Sequence, residues 1–244
     1  MKQDTFARWR HRIWGFNLFN RQEWVAQSAR KLAPGARVLD VGAGSGQYRS
    51  FFVHCEYRAH DFAQEPATIG HYTELDYWSD IIMIPVESES FDAVLCTEVL
   101  EHVPEPLKAI VEIARIIKPG GRLFLTAPLG SFLHQEPYHF YGGYTPYFYR
   151  KFLPAAGLEV ESLEPNQGFF SLFGQEAQRY ATILKGPAVK GLPLSQRAMV
   201  MLARLLMLPL ARILPLTGHW LDRLGLETMA TVGYHVVAVK RSIG

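Results

Sequence analysis

A five-residue run, Arg37-Val38-Leu39-Asp40-Val41, breaks directly into Gly42-Ala43-Gly44-Ser45-Gly46. A strand that ends in glycines can turn tightly, and Gly42 and Gly44 let the backbone approach a ligand closely. Further strand candidates follow at Glu56–Asp61, Tyr77–Ile82, Phe91–Cys96 and Arg122–Ala127, the last stopped by Pro128. Between the last two, Leu107, Ile110, Val111, Ala114 and Ile117 recur at helical spacing, with Lys108, Glu112 and Arg115 on the other face. Pro104 or Pro106 suits the first turn of that helix, and Lys118-Pro119-Gly120-Gly121 supplies a cation, a breaker and a left-handed turn at its end. Strands alternating with helices imply parallel β-α-β units. The expected class is therefore α/β, with a doubly wound sheet whose ligand crevice lies at the carboxyl ends of its strands.

Composition agrees with a globular chain. Of 244 residues 48% are apolar and 20% charged, so disordered and collagen-like classes drop out. No repeat is present, which removes solenoids and propellers. Cys55 and Cys96 form no C-x-x-C pair, so neither structural zinc nor a disulfide framework is expected, and no metal site is read. Met1–Trp14 mixes charged and apolar residues and lacks the apolar core of a secretory signal. A cytoplasmic location is expected. Charge is uneven: residues 1–37 carry eight basic residues against two acids, and residues 38–164 carry eight against eighteen. Residues 165–227 return to seven against three. The flanks, rather than the centre, would face an anionic partner, unless they are simply solvated helix faces.

Free N–H groups after the first strand favour an anion nearby. A dinucleotide fingerprint would want glycine or alanine at 47, where Gln47 stands, so a dehydrogenase is disfavoured. Asp61 ends the second strand candidate, 21 residues after Asp40, where a carboxylate can accept both hydroxyls of a ribose. With these, Val38–Gly46, Phe91-Asp92-Ala93-Val94, Glu98-Val99-Leu100-Glu101-His102-Val103 and Ile117–Gly121 stand in one order and spacing. In that order and spacing, from about Val38 to Ala127, the chain resembles the class I S-adenosylmethionine-dependent methyltransferases, particularly the small-molecule branch.

The resemblance implies a seven-stranded, mostly parallel Rossmann-like sheet whose final antiparallel pair is Leu158–Leu163 and Tyr234–Val239. It implies S-adenosylmethionine as cofactor, and the stretch between those last two strands, longer than the family's usual connection, is expected to be a helical insertion. The implied organisation is an N-terminal helical lid or anchor at 1–36, a cofactor core at 37–164, a helical insertion at 165–227 and the final strand within 228–244. Gly42, Ala43, Gly44 and Gly46 would line the methionine portion, and Asp40 would help place its ammonium group. Asp61 would hold the ribose, Phe62 would flank the adenine, and Asp80 and Ile81 would contact its ring. Thr97 and Glu98 would open the crevice beyond the fourth strand. Asp80 as a turn cap and Glu98 as a helix-start carboxylate are the plainer readings of those two residues.

Methyl transfer to an alcohol or phenol requires removal of a proton, for which histidine is suited. His102, after the fourth strand, and His139, after the fifth, are the catalytic candidates, with satisfied structural histidines as the alternative. Tyr138–Tyr149 holds seven Phe or Tyr in twelve positions, enough to wall an acceptor pocket through Tyr138, Tyr141 and Tyr144, or to pin the helix expected at Thr145–Ala156. The expected acceptor is small or lipid-linked, a sugar, phenol or quinone-like oxygen. Nucleic acid is not expected, because no Asn/Asp-Pro-Pro-aromatic motif follows the fourth strand. A non-catalytic cofactor-binding module that recruits a partner is the alternative.

Ala198–Leu216 is nearly all apolar but contains Arg204, Pro209, Arg212 and Pro215. Each central arginine costs about 2.5–3.5 kcal/mol in a spanning helix. An interfacial helix pair at 198–216 on the inner face of a membrane is one expectation, and a lid or homodimer contact the other. Phe6, Trp9, Trp14, Phe16, Phe19 and Trp24, interleaved with basic residues, suit either.

Overall fold

Val38 and Leu39 point to opposite faces of the first strand and neither has any exposed surface, so this strand needs cover on both sides. The computed structural model, which describes residues 2–63, 72–227 and 229–242, supplies it. Seven strands form one sheet: β1 (Arg37–Val41), β2 (Glu56–Asp61), β3 (Tyr77–Trp78), β4 (Phe91–Thr97), β5 (Ile117–Pro128), β6 (Leu158–Pro165) and β7 (Gly233–Lys240). Their order is β3-β2-β1-β4-β5-β7-β6. The first five pair in parallel, and β7 runs antiparallel between β5 and β6. This is the doubly wound, mostly parallel sheet expected from the sequence. Strand order reverses between β1 and β4, which opens a crevice at their carboxyl ends.

Contacts divide the chain into two units, 21–165 with 233–244 and 1–20 with 166–232. In the first, one face of the sheet packs Leu39, Val94, Leu123 and Val236 under α3 (Pro106–Ile116) and α4 (Pro146–Ala155). The other face packs Val38, Leu95, Phe124 and Val237 against Phe52, Val25 and Ala29. Val25 and Ala29 lie on α2 (Phe16–Arg30), which starts in one unit and ends in the other. Near-continuous apolar strands are what double cover demands.

Local chemistry sets the element ends that differ from expectation. The third strand stops at Trp78 rather than Ile82, because Asp80 caps a turn: its Oδ1 accepts from the Ile82 N–H at 3.1 Å and its carbonyl from Met83 at 3.1 Å. The turn sends Ile81 and Ile84 into the core. The fifth strand starts at Ile117, five residues early, with the register slipping between Phe91↔Ile117 and Ala93↔Arg122. Gly120, at φ +76°, absorbs the slip. The stretch after the glycines is a single 3-10 turn, Arg49–Phe52.

The other unit holds α1 (Lys2–Trp14), the start of α2, α5 (Phe169–Ile183) and α6 (Leu194–Leu221). The stretch 198–216, expected as a helix pair, lies within the single helix α6, which packs instead against α5. The two helices approach closely because Gly174 faces Pro215 and Gly218 faces Phe170, where an added Cβ would come within 2.8 Å and 2.5 Å of backbone. Leu194–Leu224 is long and apolar enough to cross a membrane by length and composition alone, although Arg204 and Arg212 interrupt it. Asp222 caps α5 from a distance: its carboxylate accepts the N–H groups of Gly168, Phe170 and Ser171 at 3.0–3.1 Å. Asp222→Ala leaves these donors without that acceptor and should cost about 2 kcal/mol. Denaturant unfolding checks this, and an unchanged midpoint with unchanged amide exchange at Ser171 would refute it.

Candidate functional site

The glycine turn is forced by its neighbours. Gly42, Gly44 and Gly46 have φ of +74°, +50° and +71°, and a Cβ at Gly42 would stand 2.3 Å from Val99 Cγ2. The N–H groups of Gly42 and Ala43 donate to the His60 carbonyl of β2 at 2.9 and 3.0 Å. Asp61, the next residue, closes the arrangement: its Oδ2 accepts the Gly44 N–H and its Oδ1 the Ala63 N–H, both at 2.9 Å. A loop amide that would favour a free anion is thus already satisfied by a side chain on the adjoining strand.

These residues wall one cleft, about 1030 Å³ including its open mouth. Of the cofactor residues expected from the sequence, Gly42, Gly44, Asp61, Phe62, Asp80, Ile81 and Glu98 line it. Asp40, Ala43, Gly46 and Thr97 do not. Asp40 is buried beneath the turn, its Oδ2 taking the Tyr57 hydroxyl at 2.6 Å and its Oδ1 without a partner among the described residues. Its described contacts are structural, and burial against the Tyr57 hydrogen bond pushes its carboxyl up to about 7. Thr97 is buried against Tyr48. Gly46 serves packing, since its Cβ would meet Thr73 at 2.7 Å.

The opposite wall begins at Glu98, a non-glycine residue at φ +54°, a backbone state that persists only where surroundings enforce it. Its N–H donates to the Thr126 carbonyl, its Oε1 accepts from the Thr126 hydroxyl at 2.9 Å, and its Oε2 meets Arg21 at 2.8 Å. One turn on, Glu101 is buried, and its carbonyl accepts the N–H groups of Phe140 and Tyr141. Burial, then the Glu98 charge, push its carboxyl up to about 8. His102 Nδ1 lies 2.6 Å from the Tyr138 carbonyl, and His139 Nε2 lies 3.0 Å from Ser131 Oγ. Burial with His134 and His139 alongside holds His102 below the ordinary imidazole value, and burial with His134 does the same for His139. Both are neutral near pH 7 and able to accept a proton.

Two of the three tyrosines predicted to meet an acceptor do not face the cleft. Tyr144 is 4% exposed and donates to the Leu100 carbonyl at 2.7 Å, which makes it core. Tyr141 donates to the Pro104 carbonyl at 2.9 Å. Tyr138 lines the cleft, with Phe140 and Gln135 beside it. Glu101, His134 and Arg21, which lie behind or beside the cleft wall in contact with Glu98 or His102, were not singled out from the sequence. Glu101 could have been found by its register with Glu98 and His102, one turn apart, whereas nothing around His134 in the sequence marks it.

Residues 39–125 match the family model described as a methyltransferase domain. The ubiquinone biosynthesis O-methyltransferase of Xanthomonas campestris pv. campestris (strain B100) is 41% identical over 116 residues, 43% of this chain and 48% of that protein. Its namesake in Dechloromonas aromatica (strain RCB) is 36% identical over 142 residues, 50% and 60% of the two chains. The chain spans about half the length of the curated relatives it matches. A solved Bacillus halodurans C-125 structure named as a methyltransferase superposes with a TM-score of 0.54 at 17% identity, over 91% of this chain and 99% of that one. The [4+2]-cyclase SpnF superposes at 0.52 and 21% identity, over 92% and 81%. Such likenesses show the fold, and the second shows that this fold also carries other chemistry.

The buried Asp40 has a measurable signature. The folded protein holds its proton up to about pH 7, while the ordinary carboxyl value is 3.8, so stability falls as pH rises between the two. Asp40→Asn, neutral throughout, escapes that loss. The variant should gain stability relative to the parent from pH 3.8 to about 7 and hold a constant gap above. Thermal melts across that range check it, and a gap independent of pH would rule it out.

Proposed function

We propose that the chain, whose residues 39–125 match a methyltransferase-domain model, moves a methyl group from S-adenosylmethionine to an oxygen of a small or lipid-linked acceptor. The observation that carries this reading is the Gly44–Asp61 hydrogen bond at 2.9 Å, which sets the glycine turn and a carboxylate on one cleft wall. Bound there, the cofactor supplies a methyl on a cationic sulfonium. Gly42 and Gly44 leave room for its methionine end. The remaining lone pairs of Asp61 take the ribose hydroxyls, and Phe62, Asp80 and Ile81 flank the adenine.

On the acceptor side, Tyr138 and Phe140 offer aromatic surface, with the Phe62 and Tyr138 rings edge to face at 6.3 Å. Such a wall suits a ring-bearing acceptor, and the relatives named for ubiquinone biosynthesis support a phenol or quinone-like oxygen. His139 and His102 are the candidates to take the hydroxyl proton. Holding donor and acceptor in line and excluding water contribute most of the acceleration, because the displacement itself needs little further chemistry from the protein.

The helical unit supports a peripheral contact with an anionic membrane. Met199, Met201, Leu202, Leu205, Leu206 and Ile213 of α6 are more than half exposed, on a helix that also carries Arg204 and Arg212. This composition supports a helix lying in the headgroup plane at the inner face of a membrane. The rival occupant of that face is a second copy of the chain.

Asp61→Ala should weaken S-adenosylmethionine binding by about 2 kcal/mol; unchanged affinity by calorimetry would remove the ribose assignment. Screening phenolic, sugar and quinone-like acceptors for release of S-adenosylhomocysteine tests the reaction itself. For the helical unit, sedimentation with phosphatidylglycerol vesicles should show binding that falls with added salt. A protein that stays in the supernatant and runs as a dimer would replace the membrane with the second copy.

A further inference from the structure

Beside the acceptor end of the cleft, Glu101, His102 and His134 bring one carboxylate oxygen and two ring nitrogens within 4.8 Å of one another. A carbonyl oxygen can only accept, so two contacts fix both imidazoles. His102 Nδ1 donates to Tyr138 at 2.6 Å and His134 Nδ1 donates to Phe132 at 2.7 Å. In each neutral ring the lone pair then sits on Nε2. The His102 Nε2 stands 3.8 Å from Glu101 Oε1. Glu101 is 1% exposed, and its Oε2 has no hydrogen-bond partner among the described residues. Ligand atoms of the three side chains thus lie close together, and one oxygen of the buried Glu101 carboxyl lacks a hydrogen-bond partner among the described residues, a site that a cation can fill in place of the carboxyl proton.

We propose that Glu101, His102 and His134 bind a divalent cation of the zinc, cobalt or manganese class, held open toward the acceptor. Two imidazoles and one carboxylate are borderline donors that suit these ions over magnesium or calcium. Three protein ligands leave a position free, as in catalytic rather than structural sites. The Nδ1–H bonds to carbonyls are the outer-shell contacts that such histidines need to hold their tautomer. A bound ion draws its ligands to about 2.0–2.2 Å, and His134 can move inward together with Phe132, two residues before it, keeping their hydrogen bond. Of the three, His102 lines the cleft with Tyr138 and Phe140, which sets the site beside the place assigned to the acceptor.

This inference rests on the methyl-transfer reading for what fills that position: an acceptor oxygen, whose proton the ion makes more acidic. It moves His102 from base to ligand. His139, whose ring lies 4.5 Å from that of His134 and 5.7 Å from that of His102, remains to take the proton. The balance is simple: the acceptor O–H proton passes to His139, the new O–CH3 bond forms as the S–CH3 bond breaks, and a neutral thioether leaves.

Cobalt(II) titration of the chelator-treated full chain tests the site by its visible d–d absorption. The expected result is one ion per chain, displaced by zinc, with affinity lowered in both His102→Ala and His134→Ala by at least the 10- to 100-fold typical of losing an outer-shell contact. His134 is exposed, so its variant reads the site even if the His102 variant fails to fold. Calorimetry with S-adenosylmethionine runs in parallel. Protein that binds the cofactor but no cobalt, or cobalt binding indifferent to His134→Ala, overturns the metal site alone. Protein that binds cobalt but not the cofactor leaves the site standing and overturns the methyl-transfer reading instead.

Discussion

Val99 leaves no room for a side chain at position 42, and the shape of the cleft follows from that exclusion. With 2.3 Å between Val99 Cγ2 and any Cβ there, the chain leaving β1 must turn through a left-handed glycine instead of continuing outward. The turn then lies low enough for two of its amides to reach the His60 carbonyl and a third to reach Asp61. Any bulkier turn would push β2 and β4 apart at the point where the strand order reverses. Gly42→Ala would meet both the steric limit and the backbone limit at once, since its φ is +74°.

Carboxylates crowd the same edge. Asp40, Asp61, Glu98 and Glu101 all lie at or under it, and Arg21, reaching from α2, is the cation paired with Glu98. Burial alone would lower the Arg21 guanidinium, but Glu98 and Tyr48 outweigh it and hold it above its ordinary value. These four are a minority of the eighteen acids in residues 38–164, and burial keeps two of them, Asp40 and Glu101, protonated toward neutral pH. The left-handed backbone at Glu98 costs of order 1–3 kcal/mol. Its hydrogen bonds to Thr126 and its ion pair with Arg21 offset that cost and fix the direction in which the next turn, with Glu101 and His102, enters the cleft.

The half of the cleft around the glycine turn was legible in the sequence because it is local. Gly42, Gly44 and Asp61 are set by a strand, a turn and the next strand, and spacing along the chain converts directly into spacing in the fold. The acceptor half was less legible. Aromatic density from Tyr138 to Tyr149 does not distinguish a ring that walls a pocket from one that fills a core, and Tyr144 proved to be core because its hydroxyl finds the Leu100 carbonyl. Asp40 sits where period-two alternation points a side chain under the sheet's edge, but only Tyr57, 17 positions on, decides what that carboxylate touches. His134 joins His102 through a loop with no regular period, so no pattern could have paired them. The third strand ended early for a readable reason: Asp80 two residues before Ile82 is a turn signal.

The carbonyl of Glu101 accepts two amides from the 131–142 loop, and that bond separates the cleft into two independently adjustable halves. The grip on the donor is closed within 17 residues of chain, whereas the far wall is a loop hung from one helical turn by contacts about twice as long in sequence, His102 to Tyr138 spanning 36. Substitutions in that loop can reshape the space offered to a second molecule without disturbing the strand-to-strand bond that holds the first. A family of such chains can thus vary the shape of one wall while the other stays unaltered.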